Sequence, residues 1–272
     1  MNPVIKVDIG DGKTVSLTDP AAIFVAIYMT WAREIRVFGT LSPCVTYRGH
    51  LRASWKLLPT LYRHWTAPEM EAAKKIHVLK QAEKEIIAEF KNRFALVERS
   101  KFEILAYAQH HGAPTRLLDW SRNPLAALWF AVSEKEADSE SGVVYQIRVI
   151  PERGVCMTDD YELDFCDGGK CKQPIHILPS PSFISRTDRQ RSAFSIVTLT
   201  DDLAFKPLDE IAPTCIRKFV IPQNLKAGIR RLLTEIGIDP FTLFGTPDSV
   251  GKSWALRLDY SDLNITPPTN AV

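Results

Sequence analysis

With 272 residues, 45% of them hydrophobic and 24% charged, the chain has the composition of a globular protein and the length for one large domain or two small ones. A net charge of +2 gives no general pull towards nucleic acid and leaves only local basic patches to consider. Five cysteines, at 44, 156, 166, 171 and 215, are odd in number and scattered, which argues against a disulfide framework and suits a reducing compartment. Asp8, Asp11 and Asp19 interrupt the region where a secretory signal would run from a basic start into an apolar core. The apolar run from Ala21 to Ala32 is too short to span a bilayer. The expectation is a cytoplasmic protein with no membrane partner.

Ile5, Val7 and Ile9 alternate with polar residues, and Asp11-Gly12 followed by Thr14-Val15-Ser16-Leu17 completes a predicted hairpin. Asp19 and Pro20 then open a helix to about Arg36, apolar around most of its circumference and so expected to be buried, with a partner surface as the alternative. Val45 to His50 reads as a strand ending in Tyr47-Arg48-Gly49. An arginine at a strand end, beside a glycine that permits close approach, is a common anion-recognition arrangement. From Pro68 to Phe94 apolar residues recur at steps of three and four, the mark of a long amphipathic helix with Glu83, Glu85 and Glu89 on its solvated face.

A second helix, Lys101 to His110, is capped by Ser100 and Glu103 and leads into the densest polar stretch of the chain. Gly112 suits the left-handed position after a helix, and Pro114 cannot continue one. A short strand is expected to carry Arg116 and Asp119, and Asn123-Pro124 opens a third helix to Glu136. Arg116 is a candidate phosphate ligand beside Arg48, with amides at the Asn123 helix start assisting. Asp119 is the candidate carboxylate for a ribose hydroxyl or for orienting a histidine. His110 and His111, at a helix C-terminus, are candidate acid–base groups; a carbonyl-capping role is the alternative. A structural Arg116–Asp119 ion pair is the plainest reading of the same residues.

Val143 to Ile150 is a clear strand, residues 151–182 read as a long irregular stretch, and strands are expected at Phe183–Arg186, Ala193–Val197 and Cys215–Ile221. A helix follows from Pro222 to Gly237, and a tail with Trp254 is expected to pack back on the domain. Two motifs fail on spacing. Gly245 to Gly251-Lys252-Ser253 has five residues between its glycines where a P-loop needs four, and Pro247 removes an amide. Cys156, Cys166, Cys171 and His176 include a Cys-x9-Cys separation that no common zinc knuckle uses, so no metal is expected.

Taken together, Tyr47-Arg48-Gly49-His50, Trp55-Lys56-Leu57-Leu58-Pro59 through Arg63, His110-His111-Gly112 through Asp119-Trp120-Ser121, and Asn123-Pro124-Leu125-Ala126-Ala127-Leu128-Trp129-Phe130-Ala131 resemble the FRG domain family. Arg186, Gln190 and Phe194 continue the likeness, with Tyr47 in place of the naming phenylalanine and Ser192 where a glycine is expected. The same order of elements is similar, more weakly, to mono-ADP-ribosyltransferases of the Arg-Ser-Glu type. Arg48 matches the first motif, the Ser121 strand and following helix the second, and Gln190 falls where the catalytic glutamate would stand. A neutral Gln190 stabilises an oxocarbenium-like state poorly.

The resemblance implies an α+β fold in a single domain: an ADP-ribosyltransferase-like split antiparallel β-sandwich with an inserted helical subdomain. Residues 1–39 would form a hairpin and helix on the core, 40–250 the FRG domain and 251–272 a tail. The implied site has His110, His111, Asp119 and Gln190 as catalytic groups. Tyr47, Arg48, Gly49, Arg116, Ser121, Asn123 and Arg186 would bind ligand. It implies a nucleotide-like ligand, NAD as cofactor, and ADP-ribosyl transfer or NAD hydrolysis by a toxin or phage-defence effector. A non-catalytic RNA-binding or protein-interaction module, using Arg186, Arg189 and Arg191 on phosphates, is the alternative. The sequence leaves the oligomeric state open.

Overall fold

The computed structural model describes residues 5–8, 14–17, 20–38, 45–63, 71–160, 172–183, 192–200 and 202–259. Strands β1 (Ile5–Asp8) and β2 (Thr14–Leu17) pair antiparallel with Ile5 opposite Leu17, as the alternation predicts; the Asp11-Gly12 turn lies outside the described residues. There follow α1 (Pro20–Phe38), β3 (Val45–His50), α2 (Thr60–Arg63), α3 (Ala72–Arg93) and α4 (Lys101–His110). Next come β4 (Leu118–Ser121), α5 (Pro124–Val132), β5 (Gly142–Arg148), β6 (Val155–Met157), β7 (Ile175–Pro179) and β8 (Ser192–Val197). The described chain ends with α6 (Leu208–Ile211), β9 (Ile216–Ile221), α7 (Gln223–Glu235), α8 (Pro240–Phe244) and α9 (Pro247–Asp259).

The fold is α+β. Strands β3 to β9 form one seven-stranded sheet in the order β6-β7-β8-β4-β3-β5-β9, with α2, α3 and α4 inserted between β3 and β4. All neighbours are antiparallel except β6 and β7, a parallel pair inside the stretch that reads as irregular in the sequence. Both strands are short and sit at or next to the sheet edge, so their apolar periodicity is too brief to register. The sheet is nearly divided in two. β3 pairs with β5 over six residues and β4 with β8 over four, whereas β3 and β4 meet only at Tyr47 and Ser121. That pair is enough to keep the strands in one sheet, where a sandwich would have two.

Register parity then distributes the core. Tyr47, Val144, Phe219 and Ile221 pack beneath α1, α5 and α7, and Phe194, Ile196 and Leu178 pack beneath α4. Since Tyr47 lies opposite Ser121, Asp119 opposite Phe194 and Ser121 opposite Ser192, these two groups cover the same face of the sheet. A valley is left between α4 and α5, directly over the place where β3 and β4 part. The other face buries Leu118, Trp120, Tyr145 and Ile177 under Leu57 and α6.

Gly49 has a backbone reason of its own. A Cβ there would stand 1.9 Å from the Ala127 carbonyl oxygen, so the glycine lets α5 lie directly on β3. Gly142 on β5 does the same under Ala131, at 2.4 Å. On the far side of α5, Lys226 of α7 is fully buried and donates to the carbonyls of Leu51 (3.0 Å) and Glu140 (3.2 Å), tying the turns beyond β3 and before β5. Burial lowers its pKa, while Asp138 draws it back up.

Candidate functional site

The valley is a cleft of about 320 Å³ floored by Gly49, Asp119, Ser121, Ser192 and Phe194 of the sheet. Gln109 and His110 at the end of α4 form one wall, Ala127 and Phe130 of α5 the other, and Phe244 of α8 closes one end. Its position follows from local causes. The capping box of Ser100 and Glu103 starts α4, Gly112 (φ +88°) ends it, and Asn123 with Pro124 starts α5 just beyond β4. Phe130 and Phe244 stand edge to face at 6.0 Å, an aromatic wall on one side of a polar floor.

Across the parting strands runs a chain of polar contacts. Thr115 Oγ1 donates to Gln109 Oε1, and Gln109 Nε2 donates to Asp119 Oδ2 at 2.6 Å. Arg48 Nη1 donates to the Asp119 carbonyl at 2.7 Å and lies 3.7 Å from Asp119 Oδ2. Arg48 Nε donates to His50 Nε2 at 2.9 Å. Arg48 therefore bridges the two half-sheets where the ladder between them is a single residue pair long. Its side chain is 18% exposed and the Asp119 side chain 58%, so an acid and a base of opposite charge meet at the mouth of the cleft.

The electrostatics are set by two cations. Burial lowers the pKa of Arg48, Asp119 opposes that, and the charge of Arg63 at the end of α2 adds to it. His50 is held neutral: burial, then Arg48, then Arg63 push its pKa down to about 3, against a hydrogen bond with the Trp55 backbone. A neutral ring is what allows Nε2 to accept from Arg48. Burial also raises the pKa of Tyr145, whose ring stands edge to face with His50 at 5.2 Å.

Several expected site residues lie elsewhere. Arg116 is 1% exposed and forms a two-pronged ion pair with Glu83 of α3, its Nη1 also donating to the Val197 carbonyl at 2.9 Å. This corrects the expectation of a phosphate ligand, and with it the solvated Glu83. A guanidinium buried under α3 requires a carboxylate, and Glu83 supplies it. Arg116 is in a structural ion pair, as the plainest reading has it, but its partner is Glu83 and not Asp119. His111 is exposed, stacked on Phe94 (6.5 Å) and tilted against Tyr107 (4.5 Å), away from the cleft lining. Asn123 Oδ1 accepts from the Leu125 backbone amide, and the Asn123 backbone amide donates to Ser121 Oγ, so its cap is satisfied within the chain. Tyr47, by contrast, lines the cleft although its side chain is fully buried, and its hydroxyl accepts from Gln146 Nε2 at 3.1 Å.

Tyr47, Arg48, Gly49, His110, Asp119 and Ser121 are brought to one cleft. Gln190 and Arg186 lie outside the described residues, as do Arg189, Arg191, Cys166 and Cys171. Sequence reasoning missed Gln109, Phe130, Phe244, His50 and Arg63. Gln109 stands next to His110 in the sequence, and nothing in its residue type alone marks it as a cleft residue. Phe244 comes from a helix more than a hundred residues away, beyond the reach of local pattern. Among the described residues, no helix is long and apolar enough to cross a membrane.

No curated protein and no solved structure matches the chain. Residues 44–140, from the start of β3 to just before β5, match the family model of the FRG domain, so the chain carries an FRG domain and Arg48, His110 and Asp119 all lie within it.

Proposed function

We propose that the cleft of this FRG domain binds a nucleotide-like ligand, with NAD as the species it takes and ribosyl chemistry at Asp119 as its activity. The observation that carries the reading is the pairing of Arg48 and Asp119 across the parted strands at the mouth of an aromatic-walled cleft. Phosphate oxygens would meet the outward N–H groups of Arg48, where Arg63 adds positive charge. Ribose hydroxyls would donate to Asp119, and a base would lie against Phe130 and Phe244. A volume of about 320 Å³ is near the lower end of small-molecule sites, which suits one base and its ribose with the phosphates at the opening.

In NAD hydrolysis or ADP-ribosyl transfer, the bond from ribose C1′ to the nicotinamide nitrogen breaks and nicotinamide leaves with the electron pair. The Asp119 carboxylate would face the positive charge that develops on the ribose, held in place by Gln109. His110 would take the proton from the incoming water or target hydroxyl. Consumption or transfer of this kind would fit a toxin or phage-defence effector. Calorimetry with NAD, ADP-ribose and AMP, with nicotinamide release followed in parallel, tests the reading. Saturable NAD binding with nicotinamide release supports it in full. Binding without release reduces the domain to a nucleotide-binding module, and no binding of any of the three overturns it.

A further inference from the structure

Away from the cleft, at the β6 edge of the sheet, the parallel register sets Cys156 directly beside His176. Their neighbours Val155, Ile175 and Ile177 point into the core, so by alternation Cys156 and His176 share the opposite face. Cys156 Sγ lies 3.0 Å from His176 Nδ1. His176 Nε2 lies 2.9 Å from the Gln173 carbonyl, which also accepts from Thr198 Oγ1 at 2.9 Å. A carbonyl oxygen only accepts, so the hydrogen of a neutral ring sits on Nε2 and Nδ1 is left to take the thiol proton. His176 is 4% exposed and Cys156 is half-buried, open enough for a small reagent.

We infer that Cys156 and His176 form a reactive thiol–imidazole pair whose reagent is a small hydroperoxide. Burial lowers the pKa of His176, and its hydrogen bond to the Gln173 carbonyl opposes that. A thiol proton passed to Nδ1 leaves a thiolate beside an imidazolium, an ion pair 3.0 Å apart in which each charge offsets the cost of the other, and thiolate, not thiol, is the nucleophile. The sulfur attacks the terminal peroxide oxygen, the O–O bond breaks, and the departing alkoxide (hydroxide, for hydrogen peroxide) takes the proton from Nδ1 and leaves as the alcohol or water. Sulfur loses two electrons to become a sulfenic acid, and the peroxide gains them. Cys215, fully buried on β9's approach with its Sγ facing the Arg153 carbonyl, lacks such a base and is the internal reference.

The test is peroxide treatment of the full chain with a sulfenic-acid trap, read peptide by peptide by mass spectrometry, together with iodoacetamide alkylation rates at pH 7. An ordinary thiol with pKa near 8.5 is roughly 3% ionised at that pH, so activation can raise its rate by at most about thirtyfold. Cys156 in the native protein is expected to alkylate about tenfold faster than in urea, and to trap as sulfenic acid while Cys215 does not. His176→Asn keeps an acceptor near the Nδ1 position but cannot take the proton, so it should remove the acceleration. Native and urea rates that agree, or acceleration that persists in a folded His176→Asn protein, would overturn the pair. Should that variant not fold, the native-to-urea ratio decides alone. A tightly held zinc ion that blocks alkylation would also overturn it.

Discussion

Arg48 combines two tasks that a lysine cannot share. Its Nη1 holds the Asp119 carbonyl across the parted strands while its Nε holds His50, and a single ammonium cannot reach both in that geometry. Arg48→Lys is expected to abolish NAD binding by calorimetry. It should also lose about 1–3 kcal/mol in urea denaturation, the usual worth of a charged hydrogen bond. Unchanged affinity in the lysine variant would remove Arg48 from the site. His50 makes a separate statement about pH. Its folded pKa of about 3 lies below the ordinary 6.5, so the unfolded chain binds its proton first as pH falls. The stabilisation is complete above pH 6.5 and is lost progressively towards pH 3. Between pH 7 and 5 this residue accounts for a loss of about 2 kcal/mol, which a His50→Gln variant should not show. Ring signals from His50 titrating near pH 6 by NMR would contradict the assignment.

Two elements are each pinned by a specific contact in addition to their apolar packing. α3 is fastened to the sheet by Glu83, Arg116 and the Val197 carbonyl, all buried. Removing one partner of a buried pair leaves an uncompensated charge, so Arg116→Met and Glu83→Gln should each cost about 3–5 kcal/mol in urea unfolding. Ligand affinity of the folded fraction should stay unchanged, which separates this arginine from Arg48. α5 lies on β3 only because Gly49 has no side chain. Gly49→Ala would drive a methyl into the Ala127 carbonyl, and the expected result is insoluble or non-cooperatively melting protein. Gly112→Ala meets no atom within 4 Å and suffers only its positive φ, at about 1–2 kcal/mol. Equal melting temperatures for the two variants would show that α5 can shift away from the strand.

On the scale of the molecule, the FRG match stops short of what holds it together. Among the described residues of 44–140 the sheet contains only β3 and β4, joined by the Tyr47–Ser121 pair. Their extended partners, β5 and β8, come later in the chain, as do Lys226 beneath the turns and Phe244 at the end of the cleft. A fragment of residues 44–140 should therefore show no cooperative thermal transition by circular dichroism, while the full chain does; two strands sharing one pair have too little ladder to persist alone. A sharp melt from the fragment would mean that α3, α4 and α5 form a core without the sheet.

Much of this protein is legible one residue at a time. The capping box at Ser100, the glycine that ends α4, the Asn123-Pro124 start of α5 and the strand from Val45 to His50 all rest on local backbone chemistry, so sequence alone placed them. The Arg48–Asp119 neighbourhood was visible as a concentration of polar residues at element ends. Which of those residues face a cleft was not visible, because that depends on register and on distant partners. Arg116 and Arg48 look alike in sequence; one is consumed by a carboxylate thirty-three positions earlier, and the other lies where two half-sheets part. Gly49 signals a close approach in the sequence, and the structure shows that one partner in that approach is the backbone of α5. The pairing of Cys156 with His176 needed a parallel register between two short strands, which no local periodicity encodes. Short-range capping and alternation are properties of the chain, whereas burial, charge pairing and clefts exist only once remote segments share the same space.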